Sequence, residues 1–359
     1  QRPFTYTPPT GYVALNTYNL PTSTIVKGNS VMDATLYTGN GSTLSVTNAA
    51  GFYPDLVWYK DRSNGSYNHG VFDKVRGVNN FVATNSTAAE VGGISGVSAF
   101  NSNGFTLGSD AGGNTNGDSY VAWQWNAGSG TQSSNTNGSV TATVSVNSTA
   151  GFSIANCTTP ATNTNFTVGH GLGAAPAFII VKNRTSTNNW TIYHQSTGAG
   201  GYLLFNTSAF TANTDTWANT APTSTVWSSN TPNWWATSQN LVAYSWLEIA
   251  GFSKFGSYTG NGSANGPFVY LGFRPKWFLT KRTDTTSDWV IIDTSRAPYN
   301  AVSPYIVVNT TAAENNYTGW DLVSNGMKLR NTDAGINANG GTYIYAAFAE
   351  NPFKNALAR

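Results

Sequence analysis

Apolar residues in this chain come in short runs of four to seven, rich in Val, Ile, Tyr, Phe and Trp, and each run is bounded by Gly, Asn, Asp or Pro. That rhythm predicts β-strands joined by tight turns. Two runs, "FIIV" (178–181) and "WVII" (289–292), are apolar at every position, as expected for strands covered on both faces. No window of twelve or more residues carries a helical apolar stripe, and "STAAE" (86–90) is where a short helical turn is expected. "SNG" at 102–104 and 324–326 precedes the runs "FTL" and "MKL", with glycine where a turn needs positive φ.

The runs also repeat. "FYPDLVWYK" (52–60), "APAFIIVK" (175–182) and "FRPKWFLTK" (273–281) share one frame, with Pro54, Pro176 and Pro275 each six residues before Lys60, Lys182 and Lys281. "YTGNGS" opens at Tyr37 and again at Tyr258, while the middle copy has "FTVGHGLG" instead. "TNSTAAE" (84–90) and "VNTTAAE" (308–314) match, with "LFNTSAF" (204–210) as a looser third version. The copies close on "SYVAWQW", "NLVAYSW" and "TYIYAAF", at 61, 60 and 63 residues from each lysine to Val121, Val242 and Ile344. Repetition at this scale means stacked copies of one supersecondary unit. The expectation is a tandem array of three related β-sandwich units of jelly-roll or lectin-like type, at 28–128, 147–249 and 250–359, the last including a C-terminal tail. Residues 129–146 are expected to be a linker, and 1–27 an extended segment ending an upstream domain. Gln1 is not an initiator methionine, so a processed or longer product is expected.

Composition narrows the class. Only 9% of residues are charged, against about 25% in ordinary globular domains, while 13% are aromatic and 37 of the 359 are glycine. Such a chain buries real cores and is not a disordered polar tract. Net charge is +2 with no basic cluster, so nothing points to nucleic acid. No apolar run approaches 18 residues, so no membrane-spanning helix is expected. The single cysteine, Cys157, excludes an intrachain disulfide framework.

Candidate chemistry is sparse. His69, His170 and His194 accompany no nucleophile elbow, and no pair of carboxylates recurs as glycosidase chemistry would require. The expectation is no catalytic residue, no cofactor and no enzyme. Arg62, Asp73 and Arg76 reappear as Arg282, Asp293 and Arg296, which suggests buried ion-pair or hydrogen-bond staples across neighbouring strands. His194 and Thr197 stand at this place in the middle unit. The turn-rich loops "SDAGGNTNGD" (109–118) and "TDAGINANGG" (332–341) space oxygen side chains, making Asp110, Asn114, Asn116 and Asp118 candidate calcium ligands, though Asn/Asp/Gly loops between strands are routine. Trp217, Trp227, Trp234 and Trp235 are candidate ligand or interface residues, the last two in the polar stretch "NTPNWWATSQN" (230–240).

The phrases "GFSKFGSYTGNGSANGPFVYLGFRPKW" and "SNGMKLRNTDAGINANGGTYIYAAFAENPFK", with the opening "QRPFTYTPPTGYVALNT", resemble a family of repeat proteins encoded by marine bacteriophages. The resemblance runs over the whole chain and is most specific over 250–359. It implies a virion structural protein of the tail-fibre or host-attachment kind, preceded in that family by a SPRY-like lectin-type sandwich. It carries over no catalytic residues, and the middle unit departs from the pattern at 230–240. The expected partners are other copies of the chain (a trimer above all, or a filament), other virion proteins and a host-surface glycan, on a virion surface or in the extracellular space. Alternatives are a self-assembling capsid-decoration or filament subunit and a polysaccharide depolymerase.

Overall fold

The computed structural model describes residues 24–351, so the opening segment to residue 23 and the tail from 352 lie outside the described residues. The protein is all-β. One four-strand order recurs three times, always antiparallel. In unit 1 it runs Met32–Thr38, Ser119–Trp125, Leu56–Asp61, Gly70–Asp73. In unit 2 it runs Phe152–Thr158, Asn240–Trp246, Phe178–Asn183, Thr191–His194. In unit 3 it runs Ser253–Thr259, Thr342–Ala349, Pro275–Arg282, Trp289–Asp293. The strand carrying the Pro-to-Lys phrase lies inside the order each time, beside the strand that closes the copy.

Why that phrase is apolar at nearly every position follows from its two faces. Side chains alternate across a strand, so Leu56 and Trp58 point one way and Val57 and Tyr59 the other. Leu56 and Trp58 join a core shared by all three units, to which Phe178, Ile180, Trp277 and Leu279 also belong. Val57 and Tyr59 pack instead with Val46, Phe72, Phe105 and Leu107 under unit 1's outer strands. Ile179 and Val181 do the same in unit 2, with Phe166, Trp217, Trp227 and Trp235. The inner sheets of units 1 and 2 are therefore buried twice, once by their own outer strands and once by the other units, while both faces of the unit 3 strand fall within the one shared core.

At the centre Trp125 of unit 1 meets Trp246 of unit 2 at 6.0 Å between ring centroids, and Trp277 and Phe348 of unit 3 at 5.6 and 5.8 Å. Edge-to-face packing of this kind suits aromatic quadrupoles. The units are not stacked in a line, as side-to-side packing of separate sandwiches would have them. Unit 1 touches unit 2, unit 2 touches unit 3, and unit 3 returns to unit 1.

Two local expectations change and a third holds at one of its two places. The 129–146 stretch is no bare linker, because Ser133–Asn135 and Ala142–Asn147 extend the unit 2 sheet beside Phe152–Thr158. "STAAE" is not helical; among the described residues the short α-helical turns are Ala111–Asn114 and Ala334–Asn337, with a 3-10 turn at Gly28–Ser30. The glycine of "SNG" has the expected positive φ at Gly104 (φ 153°) but not at Gly326, and both serve close approach: a Cβ on Gly104 would lie 2.0 Å from the Val46 carbonyl oxygen, and one on Gly326 would lie 2.2 Å from that of Val269.

The repeated "YTGNGS" has a matching explanation. Tyr37 stacks on Tyr120 at 4.9 Å and donates to the Gly113 carbonyl, while Tyr258 stacks on Tyr343 at 4.8 Å and donates to that of Ile336. The backbone N–H groups of Asn40 and Asn261 donate to Asn114 Oδ1 and Asn337 Oδ1, closing the same clasp in units 1 and 3.

Candidate functional site

Several of the buried charged side chains sit at the seams between units. Asp73 and Arg76 form an ion pair with neither side chain exposed, and Asp293 with Arg296 does the same at 2.6 Å. Asp73 also accepts from the Tyr244 hydroxyl of unit 2 at 2.7 Å, and Asp293 from the Trp123 indole of unit 1 at 3.0 Å. The pairs thus face the next unit round the ring. Burial alone would raise the Asp293 carboxyl, but the Arg296 charge and its hydrogen bonds hold it below the usual carboxylate range.

Arg62 and Arg282 are not members of these staples. Arg62 goes across the seam to Glu314 of unit 3 at 2.8 Å, whereas Arg282 pairs within its own loop with Asp284. The register explains the difference. Arg62 is two residues past its lysine and Arg282 only one, so Arg62 corresponds to Arg184 and Thr283. Backbone bonds show that correspondence: Glu90 N–H to Arg184 O, Glu314 N–H to Arg62 O, and Phe210 N–H to Thr283 O. Glu90 bridges Arg76 and Arg184 at 3.0 and 2.7 Å, and Glu314 bridges Arg296 and Arg62 at 3.2 and 2.8 Å. At the third seam Phe210 and Thr283 replace the acid and the arginine.

A second ring of contacts runs through Trp190, Trp289 and His69, which hold one equivalent position. The Trp190 indole donates to the Ala83 carbonyl of unit 1 at 2.7 Å, and that of Trp289 to the Leu204 carbonyl of unit 2 at 2.7 Å. His69 Nε2 reaches the Val307 carbonyl of unit 3 at 3.0 Å. Its Nδ1 accepts from the Trp58 indole, so the ring is the neutral Nε2–H tautomer. His194 repeats this, with Nδ1 accepting from the Ser196 N–H and Nε2 donating to the Tyr345 carbonyl of unit 3. Burial lowers His69 to about 3 and His194 to about 4.

Lys60, Lys182 and Lys281 are all fully buried. Lys182 donates to the carbonyls of Thr87 in unit 1 and Asn188 in its own unit; Lys281 donates to Thr207 in unit 2 and Ser287 in its own. Lys60 bonds to the carbonyls of Asp61 and Asn64. Burial lowers each ammonium to about 8. In the unfolded chain lysine titrates near its ordinary value, so between pH 8 and about 10 the unfolded state holds more protons and stability rises with pH. Urea midpoints at about pH 7.5 and 9.5 should therefore climb, and Lys182→Met should remove about a third of the slope. A flat or falling profile would contradict this role.

The remaining sequence candidates are dispersed. Trp217, Trp227 and Trp235 are no ligand platforms, because unit 2's own sandwich core encloses them. Trp234 is half-buried and bonds to Thr191 Oγ1 at 3.2 Å. Of the calcium candidates, Asn114 is buried with its amide donating to Asn40 and to the carbonyls of Ser42 and Gly108. Asp110 takes the Tyr59 hydroxyl, and Asn116 is exposed. Among the described residues no group of three His, Cys, Asp or Glu side chains comes together to hold a metal.

Asp118 instead meets Asp61, and Oδ2 of each finds no donor. The corresponding pair in unit 2 is Asn183 and Gln239, where an amide donates across the gap at 3.4 Å. In unit 1 two acceptors face each other, and desolvation and the Asp61 charge raise the Asp118 carboxyl. A raised carboxyl pKa gives stability present in acid and lost as pH rises. Asp118→Asn should therefore raise the urea midpoint at pH 7 and change it little near pH 4. A lower midpoint at pH 7 would refute the pairing.

Three copies of one antiparallel four-strand order, joined to one another by hydrogen bonds, make this a single-chain all-β module in which the third copy continues into one curled eight-stranded sheet. Residues 27–352 match the family described as a domain of unknown function, DUF7483, and the chain belongs to that family. No curated protein matches it.

Proposed function

We propose that this chain is a non-enzymatic structural protein of a virus particle, serving in a tail fibre or similar appendage that attaches the particle to its host. The observation that carries the reading is that six buried ionisable side chains are spent on the seams or on one another. Asp73, Arg76, Asp293 and Arg296 are bound to neighbouring units or to each other, as are His69 and His194. Investment of this kind supports mechanical integrity, and the likeness to bacteriophage repeat proteins supports the location. Attachment through several copies would multiply modest contacts by avidity. Antibodies raised against the chain should label the tail appendages of purified particles, and added free chain should slow adsorption to host cells. Particles that lack the chain would overturn the proposal, and label confined to the capsid shell would replace it with a decoration role.

A further inference from the structure

Strand pairing aligns one position across the units. Gly70, Thr191 and Val290 correspond, as do Phe81, Tyr202 and Tyr305, because Val71 pairs with Val82, Ile192 with Leu203 and Ile291 with Ile306. In units 1 and 3 the outer face at this position is an open cleft. The unit 3 cleft, about 100 Å³, presents Tyr305 and the 43% exposed Tyr317 with Ser287, Asp288 and Asp333. The unit 1 cleft, about 330 Å³, presents Tyr67 and Phe81 with Asn68 and Asp110. Asp110 and Asp333 each precede the equivalent helical turn, so the two clefts occupy the same place in their units, with the second aromatic supplied from different positions, Tyr67 in unit 1 and Tyr317 in unit 3.

Unit 2 shows what such a cleft accepts. There Trp234 packs against Tyr202, 4.3 Å between centroids with the rings tilted by 48°, and its indole N–H reaches Thr191 Oγ1. Tyr202 and Thr191 are the counterparts of the cleft residues Tyr305 and Val290. The chain's own side chain, a flat ring with an apolar face and a polar edge, fills the third cleft.

We propose that the clefts of units 1 and 3 are carbohydrate-binding sites, each taking one pyranose ring with its C–H face on Tyr305 and Tyr317 or on Phe81 and Tyr67. The carboxylates select sugar over an aromatic side chain. Asp333 Oδ1 is fixed by the Gly335 N–H at 2.6 Å and Asp288 Oδ1 by the Asn309 amide at 2.8 Å. A carboxylate offers about four acceptor positions, so both keep capacity for ring hydroxyls. An incoming Phe or Trp would offer at most one donor and leave these acceptors desolvated. This inference deepens the attachment reading and rests on it for its biological meaning.

Saturation-transfer NMR on the full chain, with methyl glycosides of glucose, galactose, mannose and N-acetylglucosamine, tests it. At least one glycoside should receive saturation, and Tyr317→Ala, at an exposed position, should remove roughly half of the signal by emptying one of two stacking sites. Trp234→Ala, which unplugs the third cleft, should increase it. No transfer to any glycoside, or transfer indifferent to both substitutions in folded variants, overturns the sites. Transfer to a tryptophan-containing peptide alone would assign the clefts to a protein partner and overturn them equally. Sugar binding by a chain absent from particles would leave the clefts standing and remove the appendage role, so the two failures are distinguishable.

Discussion

Arg296→Ala is expected to cost on the order of 3–5 kcal/mol of unfolding free energy, because it strands a buried charge. The guanidinium, wholly buried, donates to Asp293 at 2.6 Å, to the Ile291 carbonyl at 3.1 Å and to Glu314 at 3.2 Å. Its removal leaves the fully buried Asp293 with only the Trp123 indole and backbone donors, and Glu314 with Arg62 alone. The deficit should shrink in acid. Asp293 in the native protein has a depressed pKa, so its contribution is present above the ordinary carboxylate range and lost as pH falls through the folded value. In the variant, desolvation is opposed only by the Trp123 indole and the backbone donors, and the carboxyl protonates earlier. Arg62→Ala, at a side chain 22% exposed, should cost about 1 kcal/mol or less. Urea midpoints at pH 7 and 4 would measure both, and a loss below about 1 kcal/mol for Arg296→Ala would contradict a structural role for the pair.

Trp125→Ala should be as damaging, at roughly 3–5 kcal/mol, with the damage spread over all three units. Trp125 is 2% exposed and touches Phe152 and Trp246 of unit 2 and Trp277 and Phe348 of unit 3. The cavity opens where the inner sheets converge, so amides of all three should lose hydrogen-exchange protection together. Trp227→Ala is the matched control. Its side chain is just as buried but lies in unit 2's outer core, and protection should fall chiefly there. Loss confined to unit 1 after Trp125→Ala would show that the shared core does not couple the units.

The strands were legible because their cause is local. Period, turn residues and the thrice-written Pro-to-Lys phrase mark Leu56–Asp61, Phe178–Asn183 and Pro275–Arg282 in the sequence, and the Asp73–Arg76 and Asp293–Arg296 spacings are visible as well. The ring was not, because its contacts join residues far apart. Glu314 reaches back 252 positions to Arg62, and His69 meets the Val307 carbonyl 238 positions on. A single copy cannot disclose that His69 stands where the others carry Trp190 and Trp289. The equivalence appears only when the inter-unit hydrogen bond is seen. The tryptophans of unit 2 misled for a related reason. A polar neighbourhood such as 230–240 suggests exposure, yet Trp235 turns into a core whose walls come from 142–243. Continuous burial on both faces was the one global clue written locally. The phrase has no polar face because one side of each inner sheet belongs to the other units.

Native-state hydrogen exchange across a urea series tests the shared core and closed ring most directly. The strands Ser119–Trp125, Asn240–Trp246 and Thr342–Ala349, one per unit, should lose their last protection at the same urea concentration and with the same slope. Full exchange of any one of them while the other two remain protected would contradict a single cooperative body.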